Sequence, residues 1–161
     1  MPLEEYKKKR RFGVTPEPSP RMKKGEPGQA FVIQQHQARR LHWDLRLEDE
    51  GVLKSWAVTR EPPTEPGVKR LAVHVEDHPY DYKDFEGVIP EGEYGAGTVE
   101  IWDRGEYWPL LEGEPDKTVA EAIERGALKF ELEGTKLKGD YVLYHFDKKG
   151  KDWFFFKMKS R

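Results

Sequence analysis

From Ala30 onward the chain is written in short runs that alternate apolar and polar residues, each punctuated by glycine, proline or aspartate. A period of two is the repeat of a β-strand, whose side chains point to opposite faces in turn, and it cannot supply the 3.6-residue stripe of a packed helix. Candidate strands fall at 30–35, 42–48, 52–59, 70–76, 97–102, 128–133, 141–146 and 153–159. One helix is expected over Val119–Arg125, where Thr118 stands at the N-cap, Glu121 at the capping-box position and Gly126 at the C-terminal stop. Strands this short would leave many unpaired edges, and closing the sheet on itself removes them. The expected fold is therefore mainly β, a compact antiparallel β-barrel of about eight strands with one short helix; a sandwich is the other candidate.

Two regions differ sharply in composition. Residues 1–28 carry eight Lys and Arg against four Glu, with a Thr15-Pro16-Glu17-Pro18-Ser19-Pro20 centre that offers no periodic apolar face. They read as a basic N-terminal arm, and residues 29–161 as the barrel domain, a monomer. The whole chain has a net charge of −2, which argues against indiscriminate nucleic-acid binding while leaving the arm locally basic. Cysteine is absent, so disulfides, zinc–thiolate sites and a thiol nucleophile are excluded, and any metal must be held by imidazole and oxygen. No apolar run is long enough for a membrane helix or a signal-peptide core, which points to a soluble, cytoplasmic protein.

The chemistry concentrates in Gln34-Gln35-His36 and His42-Trp43-Asp44-Leu45-Arg46-Leu47. Alternation puts His42, Asp44 and Arg46 on one face and Trp43, Leu45 and Leu47 on the other, so the second face is core and the first is a site. Residues 37–41 are short enough for a hairpin that sets His36 beside His42. Two imidazoles and a carboxylate with water in the open positions suit Mn²⁺, Fe²⁺, Co²⁺ or Zn²⁺, which polarise a bound oxyanion and acidify water. Arg46, one pleat further on, adds the fork-shaped charge that a phosphate oxygen needs. An ordinary solvated strand face is the plainer reading of a lone His-x-Asp. Four such side chains across a hairpin, including two of only five histidines, bring a metal site level with that reading.

A second alternating run, Lys69 to His78, is read with Leu71, Val73 and Val75 towards the core and Arg70, Ala72, His74 and Glu76 on the opposite face, so that Arg70 joins Arg46 at an anion. His78 and Tyr82 fall beyond the strand end, within a long connection over residues 77–96, as rim residues over the site. His74 and His145 are read as structural. The glycine-rich residues 90–97 lack the Lys-Ser/Thr of a phosphate loop and read as a turn. Trp102, Trp108 and Trp153 to Phe156 read as packing.

These residues carry a resemblance. Gln34-Gln35-His36 through Glu48, Gly51 to Val58, Glu76-Asp77-His78-Pro79 with Tyr82, Phe85-Glu86-Gly87, Ile89 to Gly92, Tyr94 to Gly97 and Trp102 to Gly105 together resemble the 3′-phosphoesterase module of bacterial DNA ligase D. The likeness spans about Phe12 to Lys157. It implies a compact β-barrel requiring Mn²⁺ or a similar divalent ion, with Co²⁺ and Zn²⁺ as alternatives, that removes a 3′-terminal ribonucleoside and then the 3′-phosphate. By resemblance His36, His42 and Asp44 hold the metal, Arg46, His78 and Tyr82 hold the phosphate, and Gln34 and Arg70 share the site. It also brings Arg10 and Glu17 of the arm towards the ribonucleoside. Arg11 departs from the pattern, since the family has an acidic residue before the phenylalanine that is Phe12 here. The implied substrate is a DNA or DNA/RNA primer-template 3′ end. The implied partners are a DNA ligase and a polymerase encoded separately, because the chain reads as a stand-alone form. In the mechanism expected here, Arg46 and His78 stabilise charge on phosphate as water attacks, and His78 protonates the leaving oxygen.

Two other classes give different expectations. A non-haem iron oxygenase shares His42-x-Asp44, but its remaining histidine lies far downstream, whereas His36 lies six residues upstream. A non-catalytic nucleic-acid-binding barrel would show a broad basic surface, which the composition lacks.

Overall fold

The computed structural model describes residues 29–159 together with Leu3 and Tyr6. Nine strands are present among them: β1 (Ala30–Gln37), β2 (Leu41–Asp49), β3 (Val52–Val58), β4 (Lys69–Pro79), β5 (Gly87–Ile89), β6 (Gly97–Pro109), β7 (Ala127–Glu133), β8 (Lys138–His145) and β9 (Asp152–Lys157). Every pairing is antiparallel, and the order β1-β2-β3-β4-β9-β8-β7-β6 closes through a β6–β1 pairing into an eight-stranded barrel. The three-residue β5 adds to the outer edge of β6.

The expected α-helix, α1 (Val119–Arg125), forms. The Thr118 side chain accepts from the Glu121 amide, Glu121 accepts from the Lys117 amide in return, and Gly126 ends the helix in the left-handed conformation at φ 99°. Its buried Val119 and Ala122 pack into the main core. That core fills the barrel with Phe31 and Ile33 of β1, Leu45 and Leu47 of β2, Trp56 of β3, Phe130 of β7 and Phe155 of β9. Burying a side chain of this kind contributes about 1.5–3 kcal/mol. No helix among the described residues is long and apolar enough to cross a membrane.

Three expectations change. β6 runs on past Trp102 to Pro109, because Arg104 to Glu106 pair with β1 and Glu106 to Pro109 pair with β7. The connection expected over 77–96 is largely structured: β4 continues to Pro79, a 3₁₀ turn covers Tyr80–Asp84, and β5 follows. His78 is therefore a strand residue rather than one beyond the strand end.

The third change is the orientation of β4. Its register sets Val75 opposite Ser55 and His74 opposite Trp56, so His74 and Ala72 face the barrel interior while Val73 and Val75 face outward. Both faces of this strand are covered, so its alternation of polarity marks no inside. Stacking decides instead: the His74 ring lies 4.9 Å from Trp56 at 13° and edge-on to Trp153 at 5.6 Å. A bulge between the Ser55 and Leu53 pairings then lets His78 pair with Leu53 and share the outward face.

Candidate active site

The site grows from one hairpin on the outer face of the barrel. β1 and β2 pair with His36 opposite His42 and Gln34 opposite Asp44, so these residues and Arg46 share the face away from Leu45 and Leu47. The two imidazole rings lie 4.7 Å apart, and one donor atom from each of His36, His42 and Asp44 lies within 4.8 Å of the others.

Each histidine is anchored by its far nitrogen. His36 Nε2 donates to the Gly95 carbonyl at 2.7 Å, and His42 Nδ1 donates to the Arg40 carbonyl at 3.1 Å. A carbonyl oxygen only accepts, so the remaining nitrogens, Nδ1 of His36 and Nε2 of His42, are the ones that approach Asp44, at 3.5 and 3.3 Å. Both nitrogens converge on a buried carboxylate, an arrangement that calls for positive charge between them, whether a proton or a metal ion. Backbone carbonyls on the outer nitrogens with inner nitrogens and a carboxylate converging is the donor set that orients a bound divalent cation. The residues present therefore fit the metal that the sequence pattern implies.

The electrostatics point the same way. Burial alone would raise the Asp44 carboxyl, but the Arg46 charge and hydrogen bonds from His36 and His42 hold it far below the usual carboxylate range. Burial would lower the His42 imidazole, yet the hydrogen bond and charge of Asp44, helped by the Arg40 carbonyl, raise it overall. The site thus keeps Asp44 ionised and is built to face positive charge.

Arg46 is 3% exposed and held on every side. Its Nε donates to Gln34 Oε1 at 2.7 Å, its Nη1 to Ser55 Oγ at 2.9 Å, its Nη2 lies 3.5 Å from Asp44, and its guanidinium sits 4.8 Å over the Tyr82 ring. Gln34 is fully buried and donates onward to the carbonyls of Tyr82 and Phe85, tying the 3₁₀ turn to the hairpin. His78 donates from Nδ1 to the Glu76 carbonyl at 3.0 Å and meets the Tyr82 ring edge-on at 4.8 Å. Tyr6, fully buried, packs edge-on against His78 at 4.9 Å. A cavity of about 320 Å³ opens here, lined among others by His36, His42, Asp44, Arg46, His78 and Tyr82.

The structure thus brings together seven of the expected residues: His36, His42, Asp44, Arg46, His78 and Tyr82 line the cavity, and Gln34 supports it from beneath. It does not bring Arg70. That residue pairs with Phe155, donates to the Glu61 carbonyl at 2.8 Å and does not line the cavity. Arg70 lies on the interior-facing parity of β4 and five residues from Val75, roughly 16 Å along a strand. Arg10, Arg11 and Glu17 lie outside the described residues. Five contributors escaped the sequence reading: Ser55, Glu76, Tyr6 and the carbonyls of Arg40 and Gly95. Glu76 had a usable signal, since it lies in an alternating run two residues from the chosen His78; Ser55 had none in its own segment, because only the β2–β3 register sets it opposite Arg46. Tyr6 had none, because nothing local ties residue 6 to β4.

A small closed antiparallel barrel bearing two histidines and a carboxylate beside a buried arginine defines a class, the β-barrel domains that carry on one face a side-chain group compatible with a divalent metal. The chain belongs to the DNA ligase D 3′-phosphoesterase domain family, whose sequence model matches residues 34–145. It is 51% identical over 163 residues to the "Multifunctional non-homologous end joining protein LigD" of Pseudomonas aeruginosa, covering 99% of this chain and 19% of that protein. The protein of the same name from Mycolicibacterium smegmatis is 44% identical over 160 residues, covering 99% and 21%. The "Multifunctional non-homologous end joining DNA repair protein LigD" of Mycobacterium tuberculosis is 43% identical over 161 residues, covering 99% and 20%. The chain spans about a fifth of the length of these relatives.

Proposed function

We propose that this chain is a metal-dependent hydrolase of phosphate esters at DNA 3′ ends, removing a 3′-terminal ribonucleoside as a phosphodiesterase and the 3′-phosphate as a phosphomonoesterase, to leave a 3′-hydroxyl for repair. The observation that carries the reading is Arg46, a buried guanidinium fixed by Gln34, Ser55 and Tyr82 beside the His36–His42–Asp44 set. A divalent ion held by those three residues, Mn²⁺ first and Co²⁺ or Zn²⁺ as alternatives, would supply Lewis-acid stabilisation of phosphate charge.

The protein's own groups complete the chemistry. Arg46 has two of its N–H groups committed to Gln34 and Ser55, so its plane is set before substrate arrives and little reorganisation accompanies charge development. His78 is fixed by its Nδ1 hydrogen bond, which makes Nε2 the nitrogen that exchanges a proton with the leaving oxygen. Tyr82 orients both, through its ring under Arg46 and against His78. Arg10 and Glu17 would meet the ribonucleoside. The family and the names of the relatives support a place in end joining, acting on a primer-template end together with a DNA ligase and a polymerase.

The test is single-turnover hydrolysis of two primers, one ending in a 3′-phosphate and one in a 3′-terminal ribonucleotide, with EDTA and then with Mn²⁺. Both should be converted to a 3′-hydroxyl only when Mn²⁺ is added. Two intact primers in Mn²⁺ would mean that the barrel binds ends without cleaving them.

A further inference from the structure

Beside the catalytic cavity runs a second depression of about 1010 Å³, lined by Gln37, Ala38, Arg39 and residues 91–97, and the two cavities share Ala38, Tyr94 and Gly95. It is formed by the tip of the β1–β2 hairpin on one side and the glycine-rich turn on the other. These are the segments that supply the carbonyls of Arg40 and Gly95 to His42 and His36. The turn approaches the hairpin closely because Gly97, at φ 139°, has no Cβ; one there would run into the Gln37 carbonyl. The groove therefore adjoins the cavity that His36, His42 and Asp44 line.

We propose that this groove binds the DNA strand on the retained, 5′ side of the scissile 3′ ester, with Tyr94 stacking on a base and Arg39 contacting a backbone phosphate; this rests on the phosphoesterase reading above. Three observations carry it. Tyr94 is 48% exposed at the junction of the two cavities, and base stacking needs an accessible aromatic side chain. Arg39 and Arg40 are both exposed at the hairpin tip, in a domain whose residues 29–161 hold 20 Lys and Arg against 26 Asp and Glu. Two cations standing together on the hairpin that lines the groove would draw a polyanion to it. Finally, the groove is asymmetric: Arg39 lies on the hairpin wall, whereas Glu91 and Glu93 lie on the turn wall. Phosphates would be repelled from the carboxylates and held on the arginine wall, leaving base edges, whose amino and imino groups donate, to the glutamates. This fixes which way round a strand lies.

The experiment compares wild type, Tyr94→Ala and Arg39→Gln on two substrates, a single-stranded oligodeoxynucleotide with a 3′-phosphate and thymidine 3′-monophosphate, which has no 5′ neighbour. Binding of the same oligonucleotide is followed by fluorescence anisotropy in EDTA, where no turnover occurs. Tyr94→Ala should weaken oligonucleotide binding by roughly 5- to 100-fold, the range for one stacked base. Arg39→Gln should reduce the slope of log affinity against log salt by about 0.7, the value for one single-strand phosphate contact. In both variants the ratio of oligonucleotide to mononucleotide kcat/KM should fall. Equal losses on the two substrates would show that the turn and hairpin tip only seat His36 and His42, and unchanged anisotropy would show that the strand leaves by another path; either overturns the proposal. If wild type hydrolyses neither substrate, the phosphoesterase reading fails, and the anisotropy still decides whether a strand occupies the groove.

Discussion

Histidines stand on both faces of one sheet, and the two faces treat them in opposite ways. On the outer face His36 and His42 each donate to a backbone carbonyl and turn their second nitrogen towards Asp44, and His42 is raised overall. On the inner face His74 stacks on Trp56, its Nε2 has no hydrogen-bond partner among the described residues, and burial with nearby positive charge lowers it to about 4. The same side chain is thus placed against a carboxylate that favours positive charge on one side of the barrel wall and kept neutral on the other. What differs is the neighbour supplied by register: Asp44 and Arg46 for the outer pair, two indoles for the inner ring.

The largest expected effect in this comparison is at Arg46. Arg46→Lys keeps a charge on the outer face but loses the fork held by Gln34 and Ser55, so the variant should fold, bind metal and hydrolyse a 3′-phosphate primer about 10²–10³ more slowly, roughly 3–4 kcal/mol of transition-state stabilisation. Single-turnover rates with metal content measured in parallel check this. A rate within a few-fold of wild type would place Arg46 in a solvated strand face worth about 0–1 kcal/mol.

Next comes the inner histidine. Its folded value of about 4 lies below the ordinary 6.5, so the unfolded chain binds the proton more readily. The stability from keeping His74 neutral is complete above pH 6.5 and is lost as pH falls from there towards 4, by about 2–3 kcal/mol at pH 4.5. His74→Phe removes the titration while keeping a ring between the tryptophans. Urea unfolding at pH 7.5 and 4.5 should therefore show a smaller drop in the variant than in wild type. Equal drops would mean that the interior does not discriminate against charge.

The smallest effect tests how the outer face is supported from the strand behind it. Ser55 Oγ accepts from Arg46 Nη1 at 2.9 Å and donates to the Leu53 carbonyl at 2.9 Å. Ser55→Ala should cost about 1 kcal/mol, read as a roughly fivefold slower turnover with metal affinity unchanged. A loss as large as that of Arg46→Lys would make Ser55 a direct substrate contact.

The comparison also separates what was legible in the sequence from what was not. On β2 one face is wholly apolar, so the alternation of His42, Asp44 and Arg46 with Trp43, Leu45 and Leu47 reads correctly without a structure. On β4 both faces are covered, alternation loses its sign, and Arg70 was consequently assigned to the outer site while His74 was kept from the core. The capping residues of α1 and the closure of the barrel were also legible, because each follows from local chemistry or from the number of edges. The anchors from Gly95 and Tyr6 were not, since they depend on contacts across the chain that no local pattern encodes.

The central claim is that His36, His42 and Asp44 form one metal site on which turnover depends, and a calorimetric titration tests it most directly. Mn²⁺ should be titrated into wild type and into His42→Ala, with the same samples then assayed on a 3′-phosphate primer. Wild type should bind about one Mn²⁺ per chain, and the variant should lose both binding and hydrolysis. Full hydrolysis by His42→Ala, or tight Mn²⁺ binding after all three residues are changed to alanine, would contradict it.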